Sequence, residues 1–250
     1  MGENQKEMNY IKAIDIDTAS LGGTYLADLP VIRNFTRLEL TSPVTFLVGE
    51  NGSGKSTLIE AIAVSAGFNP EGGSKNFNFH TKESHSSLWE HMTLIRNPVG
   101  KWKDGYFLRA ESYYNVATSI EEMDEIPAFA PKIIESYGGR SLHEQSHGES
   151  FMALLRDRLQ GNGLYIFDEP EAALSPSRLL AMLSIIRKLE EKNSQFIIST
   201  HSPILTAYPG AVIYEITENG MMERDWRMTE NYMITRRFLS NPEAFFAELF

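Results

Sequence analysis

The chain has 250 residues, 42% hydrophobic and 22% charged, the balance of an ordinary globular protein able to bury one sizeable core. Its net charge of −10 disfavours a broad nucleic-acid-binding face, which needs clustered Lys and Arg, and leaves open a local basic patch or a basic partner. No stretch reaches the roughly 18–20 uncharged apolar residues of a membrane span, the polar start lacks the apolar core of a signal peptide, and the absence of Cys excludes disulfides and thiolate metal sites, in keeping with the cytoplasm.

The first elements read as strands. "YIKAIDID" (10–17) and "FTRLEL" (35–40) alternate apolar and polar residues, as half-buried antiparallel strands do. "VTFLVG" (44–49) is apolar throughout and predicts a central strand covered on both faces. "STLIEAIAVSAG" (56–67) has helical spacing and ends at Gly67, a C-cap. Residues 68–90 are rich in Gly, Ser, Asn and His and read as an irregular lid. "MTLIRN" and "GYFLRAESYYNV" flank the turn-prone "PVGKWKDG", which predicts an antiparallel hairpin over 92–116. The region 68–145 as a whole is expected to form an inserted lid or helical subdomain within a single domain spanning 1–250.

The second half alternates helix and strand. "FMALLRDRL" is helical, "GLYIFDEP" is an apolar strand, and "SPSRLLAMLSIIRKLEEKN" is an amphipathic helix with Ser175 as its cap and Pro176 at its first position. "QFIIST" and "AVIYEI" are further strands, "ENG" (218–220) is a turn, and two helices close the chain within 227–250. The pattern predicts an α/β fold: a mixed sheet with parallel core strands, N-terminal antiparallel β segments and a helical subdomain.

Three stretches carry chemistry. "GENGSGKST" (Gly49, Glu50, Asn51, Gly52, Ser53, Gly54, Lys55, Ser56, Thr57) is a complete phosphate loop between a strand and a helix, where backbone N–H groups surround a β-phosphate at the helix N-terminus. Lys55 would reach the β/γ oxygens, and the Ser56 hydroxyl would hold Mg²⁺. In "LYIFDEPE", alternation places Asp168 and Glu169 on different sides of a strand end, Asp168 as the metal ligand and Glu169 to polarise an attacking water. "STHSP" brings His201 to the end of the next strand, within reach of the same water.

Together with "QSHGES" (145–150) and "AALS" (172–175), these motifs resemble in kind and order the ABC-type ATPases, the superfamily of transporter nucleotide-binding subunits and SMC-like chromosome and repair ATPases. The likeness to compact, armless members implies the P-loop NTPase fold of ABC type, with ATP and Mg²⁺ as cofactors. It implies that Ser146, His147, Gly148 and Glu149 form a signature gripping the γ-phosphate of the opposite subunit, and that Ala172, Ala173, Leu174 and Ser175 form the D-loop. It implies further an ATP-dependent, two-fold homodimer with two sandwiched nucleotides. Viewed without the resemblance, "QSHGES" is equally a helix N-cap.

The departures are specific. His147 and Glu149 replace a Gly and a Gln of the usual signature, and no Gln occurs from residue 61 to 144, where transporter-like members place a Gln that contacts Mg²⁺. Asn78, His80, Thr81 and Ser86 are candidate substitutes; Tyr25, Phe35 and Arg33 are candidates to contact adenine. About 90 residues without heptads separate the phosphate loop from the signature, too few for a coiled-coil arm. The expected function is an ATPase that switches an unidentified protein partner of repair, defence or regulatory type; the alternative is the coupling subunit of a membrane transporter.

Overall fold

The computed structural model describes residues 9–74, 86–98, 100–125 and 131–250. Its strands form two sheets. A small antiparallel sheet has the order β2-β1-β4, with β1 Ile11–Ile16, β2 Arg37–Glu39 and β4 Met92–Arg96. The main sheet has the order β5-β6-β7-β3-β8-β9: β5 Asp104–Arg109, β6 Gly163–Asp168, β7 Gln195–Ser199, β3 Val44–Gly49, β8 Val212–Thr217 and β9 Gly220–Arg224. Its first five strands run parallel, and β9 returns antiparallel through the turn at 218–219.

The central strands are apolar on both faces because both faces are covered. Along β3, Val44, Phe46 and Val48 enter one core, with Tyr165, Phe167, Phe196 and Ile198 of the neighbouring strands. Leu47 points the other way, with Ile166, Ile197 and Ile216. The first core is closed by α2 (Tyr113–Glu125), α3 (His147–Ala153) with its π-helical extension Leu154–Arg158, and α4 (Pro176–Glu190). The second is closed by α1 (Lys55–Ala66) and the small sheet. Side chains stitch the two sheets: the Gln195 amide accepts from Ile11 N (2.9 Å) and donates to Ile11 O (2.8 Å), and Tyr214 OH donates to Glu39 O (2.7 Å). After a short helix α5 (Pro203–Thr206), the chain ends in α6 (Glu230–Ser240) and α7 (Pro242–Leu249), as the sequence predicts.

The hairpin expected over 92–116 does not form. Its first half, β4, pairs with β1, while its second half, β5, is the parallel edge strand beside β6. Tyr106, Phe107 and Leu108 are all buried, so the segment requires cover on both faces, which a two-stranded hairpin cannot supply. The "YYNV" read as strand instead starts α2, whose Tyr113, Val116, Ala117 and Ile120 recur at helical spacing. Consequently 68–145 is not wholly an insertion, because β4 and β5 belong to the two sheets and α2 to the main core. Ser175 occupies the N-cap of α4, but its hydroxyl meets Ser177 Oγ (3.1 Å) and makes no capping bond.

Candidate functional site

Parallel pairing carries the C-terminal ends of β3, β5, β6 and β7 to one edge of the sheet, where open α/β folds hold ligands. The phosphate loop leaves β3 there. Gly54 has φ +92°, and a Cβ on it would lie 2.6 Å from Val31 Cγ1, so the loop requires glycine at that position. Val31 N in turn donates to Ser53 O at 3.0 Å, fixing the loop from outside. The Lys55 ammonium curls back onto its own loop, donating to Gly49 O and Glu50 O at 2.9 Å each. Burial pushes its pKa below the ordinary lysine value, against the pull of Glu169, Asp168 and Glu171. The buried Ser53 hydroxyl has no hydrogen-bond partner among the described residues. A buried ammonium on borrowed carbonyls and an orphaned hydroxyl are what a phosphate-binding loop offers an anion.

Asp168 ends β6. Ser199, at the end of β7, donates to its Oδ1 at 2.5 Å, and the Ser56 hydroxyl bonds it as well. Burial raises the Asp168 pKa, with Ser199 and the nearby Arg109 opposing. The oxygen pair of Ser56 and Asp168 suits a hard cation such as Mg²⁺ shared with a nucleotide phosphate. Among the described residues no cluster of three or more His, Cys, Asp or Glu could cage a metal unaided.

Glu169 has a left-handed backbone (φ 48°, ψ 54°), held by Glu169 N donating to Ser199 O at 3.1 Å. This corrects the expectation that Asp168 and Glu169 diverge: alternation applies only while the backbone is extended, and the twist at Glu169 turns both into one cleft. That cleft, about 410 Å³, is lined by Ser56, Arg109, Asp168, Glu169, Ala172 and Ala173, among others. His201 stands beside it, with Nε2 3.1 Å from Glu169 Oε1. Its backbone N donates to Glu171, whose pKa burial raises, and its carbonyl accepts from Asn231 Nδ2 at 3.3 Å.

The signature residues are gathered elsewhere. Ser146 N and Oγ donate to Glu149 Oε2 at 3.1 and 2.6 Å, a reciprocal cap at the start of α3. The Ser146 hydroxyl is the main reason the Glu149 carboxyl titrates below its ordinary range. Gly148 lies against the D-loop; a Cβ there would be 3.1 Å from Ala173 O and would overlap the Arg178 guanidinium. His147 opens the helix. The segment Ala172–Ser175, expected as the D-loop, starts at the end of the 3₁₀ turn Pro170–Ala173 and touches both the cleft, through Ala172 and Ala173, and Gly148.

Of the candidate substitutes for the missing Gln, Asn78, His80 and Thr81 lie outside the described residues, and Ser86 caps the turn Ser87–His91. Tyr25 is 64% exposed, Phe35 packs against the second core, and Arg33 donates to Glu218 O at 2.8 Å. Sequence reasoning missed Arg109, Ser199 and Glu171. The signal for Arg109 was present: "YFLR" ends in a charge as "YIFDE" does, but the segment was assigned to a hairpin.

The comparisons agree with this geometry. A family model described as an AAA domain matches residues 28–119, and a second AAA-domain model, whose description names the AbiEii toxin of a Type IV TA system, matches 150–207. The fold is that of cbiO1 from Clostridium perfringens, part of the ABC transporter complex cbiONQ (TM-score 0.52, 14% identity, 97% of this chain and 100% of that one). It is equally that of MJ1267 in its ADP conformation, an ATP-binding cassette of an ABC transporter (TM-score 0.52, 18% identity, 94% and 96%). The chain is similar to the ABC-type P-loop ATPases. Among curated relatives, the chain is 27% identical over 186 residues to the ribose import ATP-binding protein RbsA of Bacillus cereus, covering 69% of this chain and 37% of the relative. It is 28% identical over 170 residues to the tungstate uptake ATP-binding protein TupC of Campylobacter jejuni (64% and 49%). With the cobalt import ATP-binding protein CbiO of Salmonella paratyphi A it shares 27% over 201 residues (76% and 71%). It therefore spans about a third to a half of the length of the first two. No described helix is long and apolar enough to cross a membrane.

Proposed function

We propose that the chain is a Mg²⁺-dependent ATPase whose working unit is a pair of chains enclosing two ATP molecules, and whose turnover switches a partner protein or complex of repair, defence or regulatory type. The observation that supports it most is the meeting of Lys55, Ser56, Asp168, Glu169 and His201 at one sheet edge.

In this reading Lys55 leaves the carbonyls of Gly49 and Glu50 for the β/γ-phosphate oxygens, a move favoured because burial already penalises its charge. Ser56 and Asp168 hold Mg²⁺, which supplies charge neutralisation on the phosphates when bound. Glu169 orients a water for in-line attack and takes up its proton, and His201 fixes the Glu169 carboxylate through the 3.1 Å contact. Ser146 and Gly148 approach the γ-phosphate of the other chain's nucleotide, with Ala172–Ser175 at the boundary between the chains. Glu149 remains an anion beside that pocket, and the Ser146 hydroxyl has to leave its Oε2 in order to donate to the γ-phosphate.

Glu169→Gln keeps the polar shape and removes the base, so it is expected to bind ATP, not turn it over, and accumulate as a dimer in sedimentation with ATP. A mass unchanged by ATP would sink the paired-site reading. The names of the relatives favour a second reading, a coupling subunit of a membrane transporter. Co-purification from the native host decides between the two: an integral membrane partner supports transport, a soluble partner supports the switch.

A further inference from the structure

The strand that was misread as a hairpin delivers a charge the chemistry above does not use. Arg109 is the last residue of β5 and is in register with Asp168 on β6, so parallel pairing sets a guanidinium and a carboxylate side by side at the cleft. Arg109 Nε lies 3.6 Å from Asp168 Oδ2, and Nη1 donates to Glu60 Oε2 at 2.6 Å. Nη2 is 3.9 Å from Glu111 and Nη1 3.5 Å from Pro70 O. The Nε is buried and has no hydrogen-bond partner among the described residues, since 3.6 Å is an electrostatic approach rather than a bond. A buried donor left unsatisfied and aimed at a carboxylate is held for its charge, not for a bond it makes.

Resting on the ATPase reading, we propose that Arg109 is a further residue of the site: a resident counter-ion that neutralises Asp168 while no metal is bound, and from which Mg²⁺ must take that carboxylate. Two cations cannot share one buried carboxylate at close range without mutual repulsion. Metal binding therefore requires Arg109 to yield, and Glu60 gives it a second anchor to retire to. Glu60 lies on α1, directly behind the phosphate loop, and its Oε1 accepts Ser86 N at 2.9 Å. Metal occupancy is thus passed through Arg109 and Glu60 to the turn Ser87–His91.

The quantity that reports this is the Mg²⁺ enhancement, the ratio of AMP-PNP dissociation constants in EDTA and in Mg²⁺, measured by isothermal titration calorimetry. Arg109→Gln removes the competing charge, so the enhancement should rise on the order of tenfold, the effect of one close ion pair. Glu60→Gln releases Arg109 onto Asp168, so the enhancement should fall, by about threefold. Arg109→Lys keeps the charge and should stay near the wild type. A merely structural tie between β5 and α1 predicts that Arg109→Gln and Glu60→Gln lower the melting temperature together and leave the enhancement alone; that result overturns the proposal, as does a shift of the same sign in both. If Arg109→Gln fails to fold, the Glu60→Gln and Arg109→Lys arms still decide. Should the wild type fail to bind AMP-PNP, or bind it equally well as Lys55→Ala, the ATP site itself is wrong; normal binding with unmoved ratios removes only the role of Arg109.

Discussion

Replacing Ser199 by Ala tests how the cleft keeps a buried acid. The Ser199 side chain is fully buried, donates to Asp168 Oδ1 at 2.5 Å and receives Glu169 N at 3.2 Å. Loss of a hydrogen bond to a buried charged group costs about 1.5–3 kcal/mol. Glu169 N keeps the Ser199 carbonyl at 3.1 Å, so no whole backbone group is orphaned, and about 2 kcal/mol at pH 7 is the expected total. The pH dependence has a definite sign. Burial raises the Asp168 pKa above its ordinary value, so this group's stabilising contribution is complete at low pH and is lost as pH rises through the folded pKa. Without the Ser199 donor that pKa rises further, and the variant loses more stability than the parent over the same rise. The deficit should therefore shrink to about 1 kcal/mol once Asp168 is protonated in both proteins. Urea unfolding of parent and variant over a range of pH, without nucleotide, measures it. A deficit that is independent of pH, or that grows as pH falls, would refute the assignment of Ser199 as the donor that keeps Asp168 ionised.

Two other perturbations separate folding from function. Lys55→Ala is expected to alter stability by only about 1 kcal/mol, because two carbonyl bonds are lost but a buried charge is also removed; nucleotide affinity should fall at least about a hundredfold, as read by calorimetry. Gly148→Val forces Arg178 aside and presses on Ala173 O, so it should abolish the ATP-induced dimer of Glu169→Gln in sedimentation while its melting temperature drops by a few degrees at most.

The sequence was legible where one local rule decided the structure. "VTFLVG", with both faces apolar, became the central strand, and Gly67 ended α1 in a left-handed cap. Asp168 and Glu169 could be proposed for the site because they stand at the end of an apolar strand, and Lys55 and Ser56 because a glycine-rich loop motif links such a strand to a helix. What stayed hidden depended on choices between distant partners. "MTLIRN" and "GYFLR" have the composition of hairpin strands, but only tertiary burial reveals that one pairs with β1 and the other with β6. The same error concealed Arg109, whose role depends on its register with Asp168. Ser199 and Glu171 were invisible for a related reason: each acts through a residue about thirty positions away in the chain. The two readings of "QSHGES" are compatible. Ser146 and Glu149 do form a cap, and that cap leaves Gly148 in place against the D-loop.

β5 is the outermost strand on its side of the sheet, and beyond it, among the described residues, lies an antiparallel bridge, Gly73 N donating to Phe107 O at 2.8 Å and Phe107 N to Gly73 O at 3.0 Å. An outer strand is the first to peel during sub-global opening, and its amide protons exchange before those of the interior. The guanidinium beside Asp168 is thus mounted on an outer rib of the framework, while Asp168 itself stands on an interior one. A partner that grips or releases the segment around Gly73 would act first on β5 and Arg109, which sets a handle on the cleft at the rim of the sheet.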